Sequence, residues 1–189
     1  CGIVRDDPQA MRERFREALA GAEMLLVSGG SSVGARDFVA RAVADLGGPG
    51  VLVHGVQIRP GKPTLLAVAG GKPILGLPGH PASALVVFAV FGRPAVAWLA
   101  GDRDEREIRP SVSARLTRNL ASSQGREDYV RVALIFDEDA REWRAEPVLG
   151  KSGLIRTLVQ GDGLVRIPAA SEGLAADVMV DVWLTGGRR

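Results

Sequence analysis

The stretch Ser28-Gly-Gly-Ser-Ser-Val-Gly-Ala-Arg-Asp37 decides how this chain folds. It follows the short apolar run Met24-Leu-Leu-Val27 and leads into a helical segment, Asp37 to Leu46, closed by Gly47-Gly48. A continuous apolar run of this length fits a central parallel strand. Glycines let the backbone approach a ligand closely, and the helix N-terminus that follows favours negative charge. Ser31 and Ser32 offer hydroxyls to phosphate oxygens, and Asp37 offers a carboxylate to Mg2+ or a polar ligand group. The same residues also suit a tight turn in which Asp37 caps its own helix. The loop is neither a Walker A sequence nor GxGxxG, so nucleotide binding does not follow from it directly.

Two further Gly/Pro-rich segments end apolar runs nearby. Val51 to Ile58 reads as a strand ending at Arg59-Pro-Gly-Lys62, which brings two cations together between Pro60 and Pro63. Prolines limit the loop's freedom, so a bound anion costs less ordering entropy. A solvated surface turn is the alternative. Thr64–Val68 and Ile74–Leu77 form a hairpin about Gly70-Gly71. Leu77-Pro-Gly-His-Pro-Ala-Ser83 is again strand, rigid turn and helix start, with Ser83 either facing an oxyanion or serving as an ordinary first-turn residue.

Upstream, Asp6-Asp7-Pro8 opens a helix with Met11, Phe15, Ala18, Leu19 and Ala22 at helical spacing. Downstream, the apolar region Ala82 to Ala100 is interrupted by Gly92-Arg93-Pro94, which predicts a kinked buried helix or two helical segments in place of a membrane span. Strands alternating with helices predict a three-layer α/β domain. Ligands of open α/β sheets bind outside the carboxyl ends of the strands, where all three loops fall.

The pattern changes at the charged segment Gly101 to Glu107. Beyond it come β-prone runs: Val112 to Leu116, Tyr129 to Phe136, Trp143 to Val148, Leu164 to Ile167 and Val178 to Leu184. The fold class expected is therefore α/β, with a three-layer α/β domain over 1–103 and a smaller all-β barrel-like domain over 108–189.

Composition excludes several functions. Hydrophobic residues are 46%, charged residues 24% and aromatics 5%, with a formal charge of +2 and scattered basic residues. Broad nucleic-acid binding does not fit that balance. Cys1, His54 and His80 do not make a zinc set, and a single cysteine suits a reducing cytoplasm. No signal peptide is visible, and a chain opening on Cys1 in place of Met is expected to be a fragment or a processed product.

The ordered set SGGSSVGARD (28–37), HGVQIRPGKP (54–63) and GKPILGLPGHPAS (71–83), with Lys151-Ser-Gly-Leu-Ile-Arg-Thr157 downstream, resembles the molybdopterin molybdenumtransferase family, the molybdenum insertases. The resemblance covers essentially the whole chain and implies a molybdopterin-binding α/β domain followed by a C-terminal β domain. It implies a reaction in which adenylylated molybdopterin and molybdate give molybdenum cofactor and AMP, assisted by Mg2+. It assigns catalysis to Asp37, Lys62 and Arg59, with Asp37 also the metal ligand. Substrate contacts fall to Ser28, Gly29, Gly30, Ser31, Ser32, Gly34, Pro63, Pro78, Gly79 and Ser83, and Arg126 and Ser152 are implied to complete the molybdate pocket. It further implies a cytoplasmic homodimer in the full-length protein, without nucleic-acid or membrane partners.

These residue types suit the chemistry. Molybdate is a tetrahedral dianion that cations, hydroxyls and amides can hold. The dithiolene sulfurs that receive molybdenum belong to the substrate, so protein cysteines are not required. The chain departs from the family pattern at Arg59, where Lys is common, and at His80, where Asn is usual. About half of the family's length, including two N-terminal domains and the first strand of the α/β domain, is expected upstream of Cys1. Two other functions fit the same ligand or fold: a molybdopterin adenylyltransferase, and a non-catalytic scaffold.

Overall fold

The computed structural model describes residues 2–29, 33–104, 109–148 and 161–186. The chain forms two compact units, one made of Cys1–Val56 and Gly61–Leu99, the other of Gln57–Pro60 and Ala100–Arg189.

In the first unit, α1 (Pro8–Ala20) opens as its sequence predicts, with Asp7 Oδ1 accepting from the Ala10 amide at 2.7 Å. The other end is capped from a distance. Lys72 Nζ donates to the carbonyls of Leu19 at 2.8 Å and Ala22 at 2.9 Å, placing a cation at the negative end of the helix dipole. The central run becomes β1 (Leu25–Ser28), followed by α2 (Val33–Ala44). This helix starts four residues earlier than the apolar pattern predicts. Asp37 therefore lies inside it and is not its N-cap.

The strand expected over 51–58 divides in two. β2 (Gly50–His54) remains in the first unit, the chain turns at Gly55 with φ 97°, and β3 (Ile58–Arg59) joins the second unit. β4 (Leu65–Ala69) and β5 (Lys72–Leu77) form the expected hairpin; Gly70 and Gly71 have φ 57° and 78°, the positive values that a two-residue hairpin turn requires. The sheet order is β1-β5-β4-β2, with β1 and β5 parallel and the other two pairings antiparallel.

Met11 and Phe15 of α1 and Val39, Ala42 and Val43 of α2 bury one face of this sheet against Leu65, Ala67, Ala69 and Ile74. Leu75 alternates to the opposite face. There α3 (Pro81–Val87) packs on β5 and buries Ala82, Val86 and Val87. This is the three-layer arrangement. A π-helical turn, Phe88–Gly92, joins α3 to α4 (Arg93–Leu99), at the place where the sequence predicts an interruption. A Cβ on Gly92 would lie 2.4 Å from the Phe88 ring, so any other residue there requires that ring to shift. The whole segment Pro81–Leu99 is long and apolar enough to cross a membrane, with mean hydropathy 1.7, yet its buried residues belong to this unit's packing.

The second unit contains β6 (Ser111–Leu116), β7 (Leu120–Ala121), β8 (Glu127–Asp137), β9 (Glu142–Pro147), β10 (Gly163–Ile167), β11 (Gly173–Leu174) and β12 (Met179–Leu184). The order β10-β12-β6-β9-β8, with β8 also pairing β10, closes a five-stranded barrel. The long β8 makes closure possible. Its first half, Asp128 to Val132, pairs with β10, and its second half, Val132 to Asp137, pairs with β9. Ala114, Leu116, Val132, Ala145, Val165, Ile167 and Val182 fill the interior. Closure leaves few open strand edges, and β3 covers part of β8 as a parallel partner.

Candidate functional site

Parallel pairing aligns Ser28 with Leu77, so the loops after β1 and β5 leave neighbouring strands in the same direction. β2 runs parallel to both, because two antiparallel steps through β4 separate it from β5. The turn after His54, which carries Lys62, therefore emerges at the same sheet end. Three Gly/Pro turns are gathered there by topology, although Lys62 stands 34 positions after Ser28 and Pro78 another 16 after that.

Ser28 and Gly29 are exposed, and both line a cavity of about 250 Å³ that Val4, Phe15, Val27 and Val39 also border. Gly29 has φ 106°. Pro78 is buried, Gly79 and His80 are exposed, and Ser83 is only 7% exposed in the first turn of α3. His80 is the N-cap residue of α3, but its side chain makes no capping bond. Its exposed imidazole is left facing solvent at the sheet end.

The Lys62 turn is held by three hydrogen bonds. Gly55 N–H donates to the Thr64 carbonyl at 2.8 Å and Val56 N–H to the Lys62 carbonyl at 2.9 Å. Thr64 Oγ1 donates to the Gly61 carbonyl at 2.6 Å, and Thr64 is fully buried. Lys62 itself is exposed beside the half-buried Pro63. The backbone is thus fixed while the Lys62 side chain is exposed.

Arg59 does not stay with Lys62's unit. It lies on β3, where its Cα partner across the parallel pairing is Asp128 of β8. Asp128 is 5% exposed, and its Oδ1 accepts from Arg126 Nε at 2.9 Å. Its other oxygen stands 3.9 Å from Arg59 Nη1, an ion-pair distance longer than a hydrogen bond. Two expected site residues, Arg59 and Arg126, are therefore brought to one carboxylate that the motif reading passes over. The signal is present in the sequence. Asp128 occupies the alternating series with Val130, Val132 and Leu134, the positions that line the barrel, where a carboxylate needs a partner.

On the opposite face of β8, Glu127 accepts from Arg166 Nε at 3.0 Å and from the Tyr129 hydroxyl at 2.7 Å. The Arg166 guanidinium holds the Glu127 carboxyl below its ordinary value of 4.5, against the opposing effect of burial. Burial, and then Glu127, push the Tyr129 phenol up. A carboxylate with a lowered folded-state pKa stabilises the fold above its unfolded pKa and loses that contribution as pH falls through the folded value. Glu127→Gln is accordingly expected to cost the barrel about 1 kcal/mol at neutral pH, since the pair is partly screened by solvent. The deficit relative to wild type should shrink as pH drops past 4.5, which urea unfolding across a pH series measures.

Gly30, Ser31, Ser32 and Ser152 lie outside the described residues. Gly34 and Asp37 belong to α2, but the Asp37 side chain is also outside them. Among the described residues no group of three or more His, Cys, Asp or Glu side chains is placed to hold a metal ion.

Residues 1–98 match the family described as "Probable molybdopterin binding domain", and residues 113–185 match "MoeA C-terminal region (domain IV)". The chain is 34% identical over 184 residues to a molybdopterin molybdenumtransferase of Nostoc sp., covering 95% of this chain and 42% of that protein. It is 33% identical over 187 residues to molybdopterin molybdenumtransferase 1 of Mycobacterium tuberculosis, covering 96% and 43%. Among solved structures, a molybdopterin biosynthesis MoeA protein of Pyrococcus horikoshii superimposes with a TM-score of 0.81 at 32% identity, covering 99% of this chain and 43% of that one. The chain thus spans less than half the length of the curated relatives it matches.

Proposed function

Since the chain belongs to the molybdopterin molybdenumtransferase family, with its molybdopterin-binding domain and its C-terminal β domain, we propose that it acts in molybdenum-cofactor biosynthesis, transferring molybdenum from molybdate to adenylylated molybdopterin with release of AMP. The observation that carries this reading is the pairing of Ser28 with Leu77, which sets the Ser28-Gly29 and Pro78-Gly79 turns side by side at the sheet end shared with Lys62. Backbone amides, the Ser28 and Ser83 hydroxyls and the Lys62 ammonium suit the pterin phosphate and the pyrophosphate link. The resemblance extends this role to Gly30, Ser31, Ser32 and Gly34. In the barrel unit, Arg59 and Arg126 suit the molybdate dianion, joined by Ser152.

Breaking the pyrophosphate bond leaves charge on the departing AMP, which the exposed Lys62 ammonium would offset. The described residues offer no protein cage for Mg2+. One carboxylate together with substrate phosphate oxygens is an ordinary way to bind this ion, so Asp37 would hold it there and the ion would supply charge neutralisation. A cytoplasmic homodimer with no nucleic-acid or membrane partner completes the reading, and the formal charge of only +2 supports the absence of nucleic acid.

Pterin fluorescence titration tests the assignment. Lys62→Ala is expected to raise the molybdopterin dissociation constant about tenfold or more, the value of one charge-assisted hydrogen bond. Wild-type affinity in that variant would remove Lys62 from the site. AMP transfer from ATP to molybdopterin would instead assign the chain an adenylylation step.

A further inference from the structure

We propose that Asp128 is a positioning residue which holds Arg59 and Arg126 as a paired guanidinium clamp for a tetrahedral oxoanion. The proposal rests on the assignment of the oxoanion to these arginines and adds the group that organises them.

The geometry is specific. Asp128 is locked by backbone pairing on both sides, to Arg59 of β3 and to Ile167 of β10. Its carboxylate, with the side chain 7% exposed, turns one oxygen to each arginine, Oδ1 to Arg126 at 2.9 Å and Oδ2 to Arg59 at 3.9 Å. The arginines themselves remain open to solvent, Arg126 at 33% and Arg59 at 65%. Arg126 uses Nε on Asp128, and among the described residues its terminal nitrogens are left to a ligand. A buried carboxylate between the exposed Arg59 and the half-buried Arg126 guanidinium groups fixes cations whose long side chains would otherwise lose much rotational freedom on binding. The cluster carries two positive charges and one negative, so it retains one positive charge for an anion.

Two effects of Asp128 on an anion oppose each other, and this makes the proposal testable by sign. As a bare negative charge, Asp128 repels an oxoanion, so its neutralisation would tighten binding. As an anchor, it organises the clamp, so its neutralisation weakens binding. The anchoring role is the one proposed.

The experiment is calorimetric titration of molybdate into the wild-type chain, Asp128→Asn, Arg126→Ala and the double variant, with thermal melts recorded alongside. The expected result is that Asp128→Asn weakens molybdate about fivefold or more while the melt shows a folded barrel, and that the same change has a smaller further effect in the Arg126→Ala background, where only Arg59 is left to hold. A purely structural role would lower the melting temperature without changing the affinity of the folded fraction. Equal or tighter binding by Asp128→Asn, with Arg126→Ala weakened, would overturn the positioning role alone. Wild-type affinity in Arg126→Ala, or no saturable binding by the wild-type chain, would overturn the oxoanion assignment beneath it. If asparagine at 128 prevents folding, Asp128→Glu is read by the same criteria, because the longer arm keeps the charge but displaces both contacts.

Discussion

Replacing Gly163 with alanine is expected to destabilise the barrel unit by about 3 kcal/mol, the upper range for overpacking a core. Gly163 sits where β10 is hydrogen-bonded on both sides, opposite Leu184 of β12 and Val132 of β8. A Cβ there would lie 2.5 Å from Val182 Cγ1 and 2.6 Å from the Trp183 carbonyl oxygen. Neither neighbour can give way easily. Val182 is fully buried in the barrel interior, and Trp183 is held in the β10–β12 pairing. For a unit of this size such a loss lowers the melting temperature by more than about 10 °C, and the fluorescence of Trp143 and Trp183 reports it. Gly161→Ala is the control. A Cβ at that position would meet the Arg131 side chain at 3.4 Å, an ordinary contact, so little change is expected. Equal damage from both substitutions would refute the steric account.

Thr64→Val carries the second large effect, because it tests how the Lys62 turn is built. Valine keeps the shape of threonine but removes the donor to the Gly61 carbonyl, at a position with no solvent exposure. Gly61 is itself buried, so its carbonyl loses its partner without gaining water. The cost expected is about 1–3 kcal/mol in urea unfolding of the α/β unit. Thr64→Ser, which restores the hydroxyl, should recover most of it. Because the same bond closes the turn that presents Lys62, Thr64→Val should also weaken molybdopterin in the fluorescence titration, and Thr64→Ser should not. Loss of stability with unchanged affinity would separate the turn from the ligand.

Much of the fold is legible in local sequence because its signals are local. Asp7 followed by Pro8 marks the start of α1, Gly70-Gly71 marks the hairpin, and Gly92-Arg93-Pro94 marks the irregular turn of the long helix. Each depends on backbone preferences within a few residues. The start of α2 is harder to read, since the apolar period begins after the helix does. The division of the 51–58 run is harder still. An apolar alternation looks the same whether its second half pairs within one sheet or crosses to another, and only the pairing of Ile58 and Arg59 with Glu127 and Asp128 distinguishes the two.

The three turns that opened the reading, and the family they resemble, were determined by sequence alone, because residue type and order carry both the chemistry and the match. Their placement at one sheet end needed the parallel β1–β5 pairing, a contact between residues nearly fifty positions apart. The partners of the arginines likewise belong to tertiary structure. In sequence, Arg59 stands beside Lys62 and far from Arg126. In the fold, β3 leaves its neighbours and pairs with β8, so Arg59 meets Asp128 and Arg126. Strand pairing brings charges together across any sequence distance, and no local preference encodes which strand will be the partner.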